Sequence, residues 1–193
     1  MNLNLDGKVA LVTGSYRGTG AGIAERLGAE GAHVIVHGFL EDETQVVFEE
    51  LANKEINVTR LEANLLDLDH DEIKSLLPPI DILINNYGTP RRSSWESTES
   101  WIEEWEHNVL MGVKLSQVVI RGMSDRAWGR ILFMGTIGIE NPGTHSPGYY
   151  GSKAALVPIV KSLARELNQT GITVNLENPG KIATAEVKQI NQK

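Results

Sequence analysis

The residue types best suited to acid–base chemistry lie in the short stretch that begins at Tyr149 and ends at Lys153. Residues four apart share one face of a helix, so a helix here would bring the two side chains within one turn of each other. A free phenol has a pKa near ~10 and exchanges its proton poorly at neutral pH. A neighbouring ammonium favours the phenolate and lowers that pKa towards the range of a general acid–base catalyst. The same spacing also fits a solvated lysine beside a half-buried tyrosine, so the pair alone leaves both interpretations open.

A glycine-rich turn near the start of the chain is a second candidate site. It follows an apolar run at residues 8–12, typical of a strand buried on both faces, and precedes a helical pattern at residues 21–27. Gly14 permits a tight turn, while Gly18 and Gly20 let backbone N–H groups approach a pyrophosphate at the helix N-terminus. The spacing is GxxxGxG instead of the commoner GxGxxG, and a glycine loop alone also fits a plain turn. The candidate cofactor-binding residues of this turn are Gly14, Ser15, Tyr16, Arg17, Gly18, Thr19 and Gly20.

The end of the second predicted strand indicates which dinucleotide would bind. NAD sites place an acidic residue there to bind the ribose 2′-hydroxyl, but here the expected position is Gly38. Arg17 in the glycine turn lies within plausible reach of a 2′-phosphate, which favours NADP(H) over NAD(H). A solvated Arg17 is the alternative, and the acidic residues at 41–43 would oppose a phosphate if they fold back.

Apolar runs alternate with helical patterns along the rest of the chain. Further strands are predicted at residues 32–37, 57–62, 80–84, 129–136 and 172–176, and helices at residues 41–54, 71–77, 98–121 and 149–171. This alternation predicts an α/β fold, a Rossmann-type doubly wound parallel sheet with helices on both faces in three layers. Ligands would then bind at the carboxyl ends of the strands, where the Gly and Asn turns fall. Nothing repeats and no linker divides the chain, so residues 1–193 are expected to form a single dinucleotide-binding and catalytic domain.

Two of the predicted helices carry apolar stripes. Helix 98–121 would place one stripe on a single face, as in a core or a subunit interface, formed by Trp101, Ile102, Trp105, Val109 and Val113. Asn108 lies on the same helix, where Asn is a poor helix former unless its amide has a function. An exposed Asn108, or one that bonds back to the backbone, is the alternative. In helix 41–54 the side chains expected inside are Val46, Val47 and Leu51.

Composition narrows the classes of function. A net charge of −7 argues against a nucleic-acid partner, because such partners demand a basic face. The absence of cysteine excludes disulfides, thiolate metal sites and cysteine nucleophiles, and it fits a reducing compartment. The five histidines form no HExxH motif, so no metal is expected. The sequence shows no leader pattern and no apolar run of membrane-spanning length, so we expect a cytoplasmic protein without a membrane partner.

With these pieces placed, the chain resembles the short-chain dehydrogenase/reductase superfamily, most closely its bacterial 3-oxoacyl-carrier-protein reductase-like members. The resemblance runs from Asp6 to about Thr184, nearly the whole chain. The motifs that carry it, in family order, are Thr13-Gly14-xxx-Gly18-x-Gly20, Asn64-Leu65, Asn85-Asn86-Tyr87-Gly88, Asn108, Tyr149-xxx-Lys153 and Pro179-Gly180-x-Ile182-x-Thr184. Beyond the glycine turn, the resemblance implies cofactor contacts from Asn64, Leu65, Asn86, Tyr87, Gly88, Tyr149, Lys153, Pro179, Gly180, Ile182 and Thr184.

The resemblance implies an NAD(P)(H)-dependent oxidoreductase that transfers a hydride between nicotinamide and a carbonyl or secondary alcohol. Tyr149 would protonate the developing alkoxide, or accept the alcohol proton in reverse. Lys153 would lower the pKa of Tyr149 and bind the nicotinamide ribose. Thr136 would orient the carbonyl oxygen, and Asn108 would hold a water through which protons return from solvent.

Three departures from the family pattern are visible. Thr136 stands where the family has Ser, which keeps the hydroxyl but adds a methyl group and a stiffer χ1. Tyr87 replaces the Ala of the NNAG motif. Relatives continue past the Pro-Gly motif with lid helices and a last strand, whereas this sequence stops at Lys193. We therefore expect an incomplete pocket roof, and the sequence leaves open whether the chain is naturally short or truncated.

Three functional hypotheses follow. The first is an active carbonyl reductase or alcohol dehydrogenase with a small-molecule substrate. The second, motivated by the departures above, is a dinucleotide-binding protein without turnover. The third is an interaction scaffold whose Trp101 and Tyr149 helices mainly form a subunit interface. In this family those two helices build homodimers or homotetramers, so the resemblance implies a homo-oligomer of one of these sizes.

Overall fold

A parallel β-sheet forms the centre of the protein in the computed structural model, which describes residues 3–88, 93–180 and 182–183. Within those residues the sheet has six strands in the order β3-β2-β1-β4-β5-β6. The strands are β1 (Val9–Val12), β2 (His33–Gly38), β3 (Val58–Glu62), β4 (Ile82–Asn85), β5 (Gly129–Met134) and β6 (Ile172–Glu177). Their ends lie at most two residues from the predicted ones. The predicted Rossmann-type parallel sheet is confirmed.

The strand order reverses next to β1. This strand pairs in parallel with β2 on one side and with β4 on the other, so the chain crosses over β1 after it has built β3. In open sheets of this kind ligands bind outside the carboxyl ends of the strands at that switch point. The glycine turn that follows Val12 and the Asn turn that begins at Asn85 therefore meet at one edge of the sheet.

Helices cover both faces of the sheet and connect its strands. They are α1 (Gly18–Ala29), α2 (Gln45–Ala52), α3 (His70–Leu76), α4 (Glu99–Trp105), a π-helical turn (Glu106–Leu110), α5 (Met111–Asp125) and α6 (Pro147–Glu166). A short 3₁₀ turn (Ile137–Ile139) follows β5. Helix α6 continues through Pro158. Among the described residues no helix combines the length and the apolar character that crossing a membrane would need.

Two hydrophobic cores lie on opposite faces of the sheet. In β1 the side chain of Leu11 enters one core, whereas Ala10 and Val12 enter the other, since successive strand residues point to opposite faces. The first core takes buried residues such as Leu115 of α5 and Leu156 of α6. The second is covered by α1 and α2. This arrangement confirms the predicted three layers of helix, sheet and helix.

Helix α2 is shorter than the sequence suggested, and one predicted core residue lies outside. It begins at Gln45 and buries Val47 and Leu51, which lie four apart on one face. Val46 is 64% exposed, so its predicted burial is wrong. The reason is geometric: neighbouring helix positions point about 100° apart, so Val46 cannot share the narrow stripe of Val47.

The predicted helix at residues 98–121 exists, but its inward face differs from the prediction. The stretch from Glu99 to Asp125 contains the π-helical turn, whose wider winding shifts the register of α4 relative to α5. Ile102 and Trp105 are 56% and 42% exposed, so these two members of the predicted stripe lie outside the core, and a subunit interface remains the interpretation for them. Val109 of the predicted stripe is buried, and the other buried positions between Glu99 and Leu110 are polar: Glu104 and Asn108.

Candidate active site

The candidate site lies at the carboxyl ends of β1, β4 and β5. Two turns are tied together there by Thr13, whose side-chain Oγ1 accepts the backbone N–H groups of Asn86 and Tyr87 at 3.1 and 3.0 Å. The Asn86 side-chain Nδ2 in turn donates to the Thr13 carbonyl at 2.8 Å. The predicted roles of Asn86 and Tyr87 therefore rest on a rigid junction between the glycine turn and the end of β4.

Close packing in the glycine turn requires glycine at two positions. Gly14 has φ +61°, in the left-handed region that favours glycine. A Cβ on Gly20 would lie 2.5 Å from the Gly14 carbonyl oxygen and 2.6 Å from the Asn86 side-chain nitrogen. Helix α1 begins at Gly18 after Arg17, and its first turn has no side-chain cap and no acidic residue. Such a helix start suits a phosphate, because its N–H groups and dipole both favour an anion.

A buried histidine, His37, supports the glycine turn. Sequence reasoning did not single it out. The backbone N–H of Gly14 donates to Nδ1 of His37 at 3.1 Å, and Nε2 of His37 lies 3.1 Å from the Ala63 carbonyl. Burial lowers the pKa of His37 to about 4, so the ring is neutral at pH 7. Because Nδ1 accepts, Nε2 carries the proton and donates to Ala63. A histidine inside an apolar run was the available signal.

Ser15 is part of the same support. Its side chain is fully buried; the hydroxyl donates to the Val12 carbonyl at 2.7 Å and accepts the His37 N–H at 2.8 Å. The side chain of this predicted cofactor residue therefore joins β1 to β2 instead of facing the groove. The phosphate-facing donors must come from the helix start that follows it.

A carboxylate folds back against the end of β2. Oε2 of Glu43 accepts the backbone N–H groups of Phe39 and Leu40 at 2.5 and 3.2 Å. A Cβ on Gly38 would lie 2.9 Å from that oxygen. Glycine at position 38 therefore leaves room for the Glu43 carboxylate at the place where a side chain of residue 38 would otherwise begin.

Arg17 and Glu43 both act on Tyr16, so the two opposite charges flank one side chain of the glycine turn. Burial raises the pKa of Tyr16, the guanidinium of Arg17 lowers it and the Glu43 carboxylate raises it. Arg17 is exposed, and its Cζ lies 5.0 Å from the centre of the Tyr16 ring. Arg17, the predicted ligand of the 2′-phosphate, and Glu43, its predicted opponent, therefore act on the same side chain.

The predicted adenine-side residues lie in the turn after β3. Leu65 is fully buried in the core, so only its backbone can face a ligand. Asn64 closes a local turn: its Oδ1 accepts the Leu66 N–H at 3.3 Å, and its Nδ2 donates to Asp67 at 2.8 Å. These contacts fix the shape of the turn.

Tyr87 fills space beside the glycine turn. Its ring packs 4.4 Å from the Phe39 ring and 5.7 Å from the His107 ring, measured between centroids. A Cβ on Gly14 would come within 2.9 Å of Tyr87 Cδ2. The tyrosine that replaces the family's alanine therefore builds an aromatic wall between the glycine turn and the end of β2.

Helix α6 brings Tyr149 and Lys153 to the same side, at the end of β5. Lys153 is 2% exposed and its Nζ donates to the Met134 carbonyl at 2.7 Å. That Nζ lies 6.0 Å from the centre of the Tyr149 ring. The side-chain hydroxyls of Tyr149 and Thr136 share a hydrogen bond. Three of the four predicted catalytic residues therefore meet in one place.

The pKa of Tyr149 is shifted in the direction opposite to the prediction. Burial raises it above its ordinary value, and the hydrogen bond to Thr136 opposes that rise. The predicted lowering by Lys153 is wrong in this structure, because desolvation of the phenolate outweighs the favourable contacts. Lys153 is itself affected: burial lowers its pKa to about 8, while the Glu104 carboxylate acts in the opposite sense.

Asn108 completes the cluster. A Cβ on Gly88 would lie 2.4 Å from Lys153 Nζ and 2.5 Å from Asn108 Oδ1, so both atoms face the same small space. Asn108 is 4% exposed, and within the described part of the chain its Oδ1 has no hydrogen-bond partner. An unpaired buried acceptor beside an ammonium is suited to hold a hydroxyl group or a water.

Of the remaining predicted residues, Thr136, Pro179 and Ile182 have contacts near the same mouth. Thr136 Oγ1 accepts the Gly138 N–H at 3.1 Å, and the Ile137 N–H donates to the Pro179 carbonyl at 3.2 Å. Ile182 lines a cleft together with Gly18 and Thr19. A Cβ on Gly180 would meet nothing within 4 Å. Thr184 lies outside the described residues.

Sheet order, switch point and glycine turn together define a dinucleotide-binding α/β protein. The family model for short chain dehydrogenases matches residues 8–193. The chain is 36% identical over 192 residues to the 3-oxoacyl-[acyl-carrier-protein] reductase of Aquifex aeolicus, covering 95% of this chain and 77% of that protein. The Escherichia coli protein of the same name is 36% identical over 188 residues, covering 94% and 76%.

Solved structures agree. L-sorbose reductase from Gluconobacter frateurii, complexed with NADPH and L-sorbose, superposes with a TM-score of 0.89 at 31% identity, covering all of this chain and 78% of that one. A 3-oxoacyl (acyl-carrier-protein) reductase from Agrobacterium tumefaciens with NADP bound gives 0.89 at 28% identity, covering 100% and 77%. The chain belongs to the short-chain dehydrogenase family. It is an NAD(P)-dependent oxidoreductase.

Proposed function

We propose that this protein interconverts a small-molecule carbonyl compound and its secondary alcohol, with Tyr149 as the acid–base residue. The observation that supports this is the convergence of Tyr149, Thr136, Lys153 and Asn108 on one mouth, beside the glycine turn. A phenol in contact with a second hydroxyl can orient a carbonyl oxygen and give it a proton as negative charge develops there.

Each residue of the cluster has a distinct part in this proposal. Tyr149 donates the proton to the substrate oxygen, and Thr136 holds that oxygen in line with the phenol. Lys153, anchored on the Met134 carbonyl, supplies positive charge near the phenol as it loses its proton. Asn108 presents Oδ1 beside Lys153 Nζ, on the path by which a proton would be replaced.

The residues present fit a dinucleotide. The uncapped start of α1 and the space that Gly20 keeps open suit a pyrophosphate, and Gly88, Pro179, Gly180, Ile182 and Thr184 are proposed on the nicotinamide side. When bound, the nicotinamide supplies the hydride, which no amino-acid side chain can provide.

We propose NADP(H) over NAD(H) as the preferred dinucleotide. The exposed Arg17 guanidinium at the start of α1 supports this preference, as do the similar structures that contain NADP or NADPH. Glu43 opposes it electrostatically. The balance between these two side chains is therefore the feature that sets the preference.

We propose a homodimer or homotetramer as the assembled form. Helix α4 and the turn that follows it leave Ile102, Trp105 and Leu110 exposed, and large apolar side chains in a row suit burial against a second copy. Because a 3-oxoacyl-[acyl-carrier-protein] reductase and L-sorbose reductase are among the similar proteins, acyl-thioester ketones and sugar ketones are the first substrates to try.

The test is oxidation of NADPH, followed at 340 nm, with a panel of ketones, β-ketoacyl thioesters and keto sugars. Turnover with at least one substrate is expected, and Tyr149→Phe should lower kcat by about 100-fold or more. Full activity of Tyr149→Phe would exclude the assigned acid. Dinucleotide binding by fluorescence without any turnover would support the non-catalytic alternative, and absence of binding would support the scaffold.

A further inference from the structure

A buried carboxylate lies next to the proposed catalytic cluster. Glu104 is 1% exposed, although Glu103 and Glu106 on either side of it are exposed. Carboxylates are rarely buried without compensating contacts, because removing the charge from water costs several kcal/mol. The contacts of Glu104 therefore have to be strong, and they identify its role.

One of these contacts fixes a catalytic amide. The Nδ2 of Asn108 donates to Oε2 of Glu104 at 2.6 Å and to the Glu104 carbonyl at 2.9 Å. Since both donors of this amide point towards Glu104, its Oδ1 points the other way, to the space beside Gly88 that Lys153 Nζ also faces. The Glu104 carboxylate, the Asn108 amide and the Lys153 ammonium thus lie next to one another in that order in space.

The charge of Glu104 also reaches helix α6, which packs against α4. The titratable groups of α6 that respond to it are Lys153 and Tyr149. In the π-helical turn, which also packs against α4, Glu106 is exposed and the His107 ring stacks towards Tyr87. Lys153 is the buried cation on which the Glu104 carboxylate acts.

We propose that Glu104 is a positioning residue for the reaction, which orients the Asn108 amide and acts as the buried counter-charge that keeps Lys153 protonated. The catalytic part of this statement rests on the proposed function. Asn108 by itself could present either end of its amide to Lys153, and the carboxylate removes that choice. Without the negative charge, the low-dielectric interior favours neutral Lys153.

The first experiment does not depend on turnover. The full chain is labelled with lysine carrying ¹³C at Cε, and the Lys153 signal is assigned with Lys153→Arg and titrated by NMR. Lys153 is expected to titrate near pH 8 in the wild type. Glu104→Gln, which keeps the shape but not the charge, should lower that midpoint by about one pH unit. The matched control Glu103→Gln, an exposed neighbour on the same helix, should leave it unchanged.

Equal Lys153 midpoints in the wild type and Glu104→Gln would overturn the proposal, whatever the activity. If the glutamine variant does not fold, Glu104→Asp serves the same purpose: it keeps the charge, so Lys153 should titrate close to the wild-type midpoint, and a midpoint lowered by one unit contradicts the proposal.

Kinetics test the catalytic part. Carbonyl reduction needs protonated Tyr149 and Lys153, and loss of the Glu104 charge lowers the pKa of both. The alkaline limb of kcat should therefore move to lower pH in Glu104→Gln but not in Glu103→Gln. A uniform loss of kcat with an unmoved limb would show a purely structural residue. A wild type that reduces no carbonyl would refute the proposed function while leaving the NMR result to stand.

Discussion

The imidazole of His37 accepts the backbone N–H of Gly14 through Nδ1 at 3.1 Å. A neutral side chain from β2 thus holds the first glycine of the cofactor turn, and it can do so only while Nδ1 carries no proton. The shape of the turn is therefore linked to the charge of a fully buried residue.

This link predicts a loss of stability in acid. The folded-state pKa of His37 is about 4, below its ordinary value of 6.5, so the unfolded chain binds the proton more readily. The contribution is complete above pH 6.5 and is lost as the pH falls towards 4, by up to about 3 kcal/mol of unfolding free energy. Urea unfolding between pH 7 and 4 measures it. His37→Asn should show a flatter pH dependence over this range, whereas His145→Asn, in an exposed loop, should keep the wild-type slope.

The Thr136 hydroxyl is expected to support proton transfer from Tyr149. Thr136→Val keeps the shape but removes the hydrogen bond to the Tyr149 phenol. Carbonyl reduction should lose about 10- to 100-fold in kcat, while its alkaline limb should not move, because Lys153, with a pKa of about 8, loses its proton before Tyr149 does. Thr136→Ser should keep kcat close to wild type. A valine variant with the wild-type kcat would remove Thr136 from the site.

Glu43 is expected to weaken NADPH binding. Glu43→Gln removes the negative charge beside Tyr16 and Arg17 but leaves an oxygen for the Phe39 N–H. The Kd of NADPH should fall by about threefold to tenfold, with little change for NADH, as measured by fluorescence titration. Glu41→Gln, an exposed carboxylate in the same loop, is the control. If both dinucleotides respond alike, the carboxylate does not discriminate between them.

Gly88 is expected to be essential for activity more than for folding. The Cβ of Gly88→Ala would lie 2.4 Å from Lys153 Nζ and 2.5 Å from Asn108 Oδ1, so the lysine must leave its position. We expect kcat to fall by about tenfold or more, with a smaller effect on the melting temperature. Gly122→Ala, in α5 and near only the flexible end of Arg126, should retain full kcat. Wild-type kcat in Gly88→Ala would contradict the observed convergence.

The fold could be predicted because its signals are local. Each strand is a short segment that contains Val, Ile or Leu and is followed closely by Gly, Asn or Pro, and alternation with helices leaves few arrangements of a parallel sheet. The meeting of Tyr149 with Lys153 also follows from spacing alone. Their burial does not, because it depends on what packs above α6, and burial decides the direction in which both pKa values shift.

Glu104 and Glu43 mark the limit of sequence reasoning for the opposite reason. Both lie in acidic stretches that look solvated, and each is drawn inward by contacts made only in three dimensions: the Asn108 amide for one and two backbone N–H groups for the other. The exposure of Ile102 and Trp105 could not be predicted either, since nothing in their own spacing reveals the π-helical turn.

The π-helical turn makes the geometry of the site depend on the number of residues between α4 and α5. Because its ladder spans five residues instead of four, shortening the segment between Trp105 and Met111 by one would restore regular winding and rotate everything before it by about 100°. Glu104 would then leave the interior, and a neighbouring side chain of α4 would take its place. A single-codon deletion that spared Asn108 would thus abolish the catalytic arrangement while all four proposed catalytic residues remained in the protein.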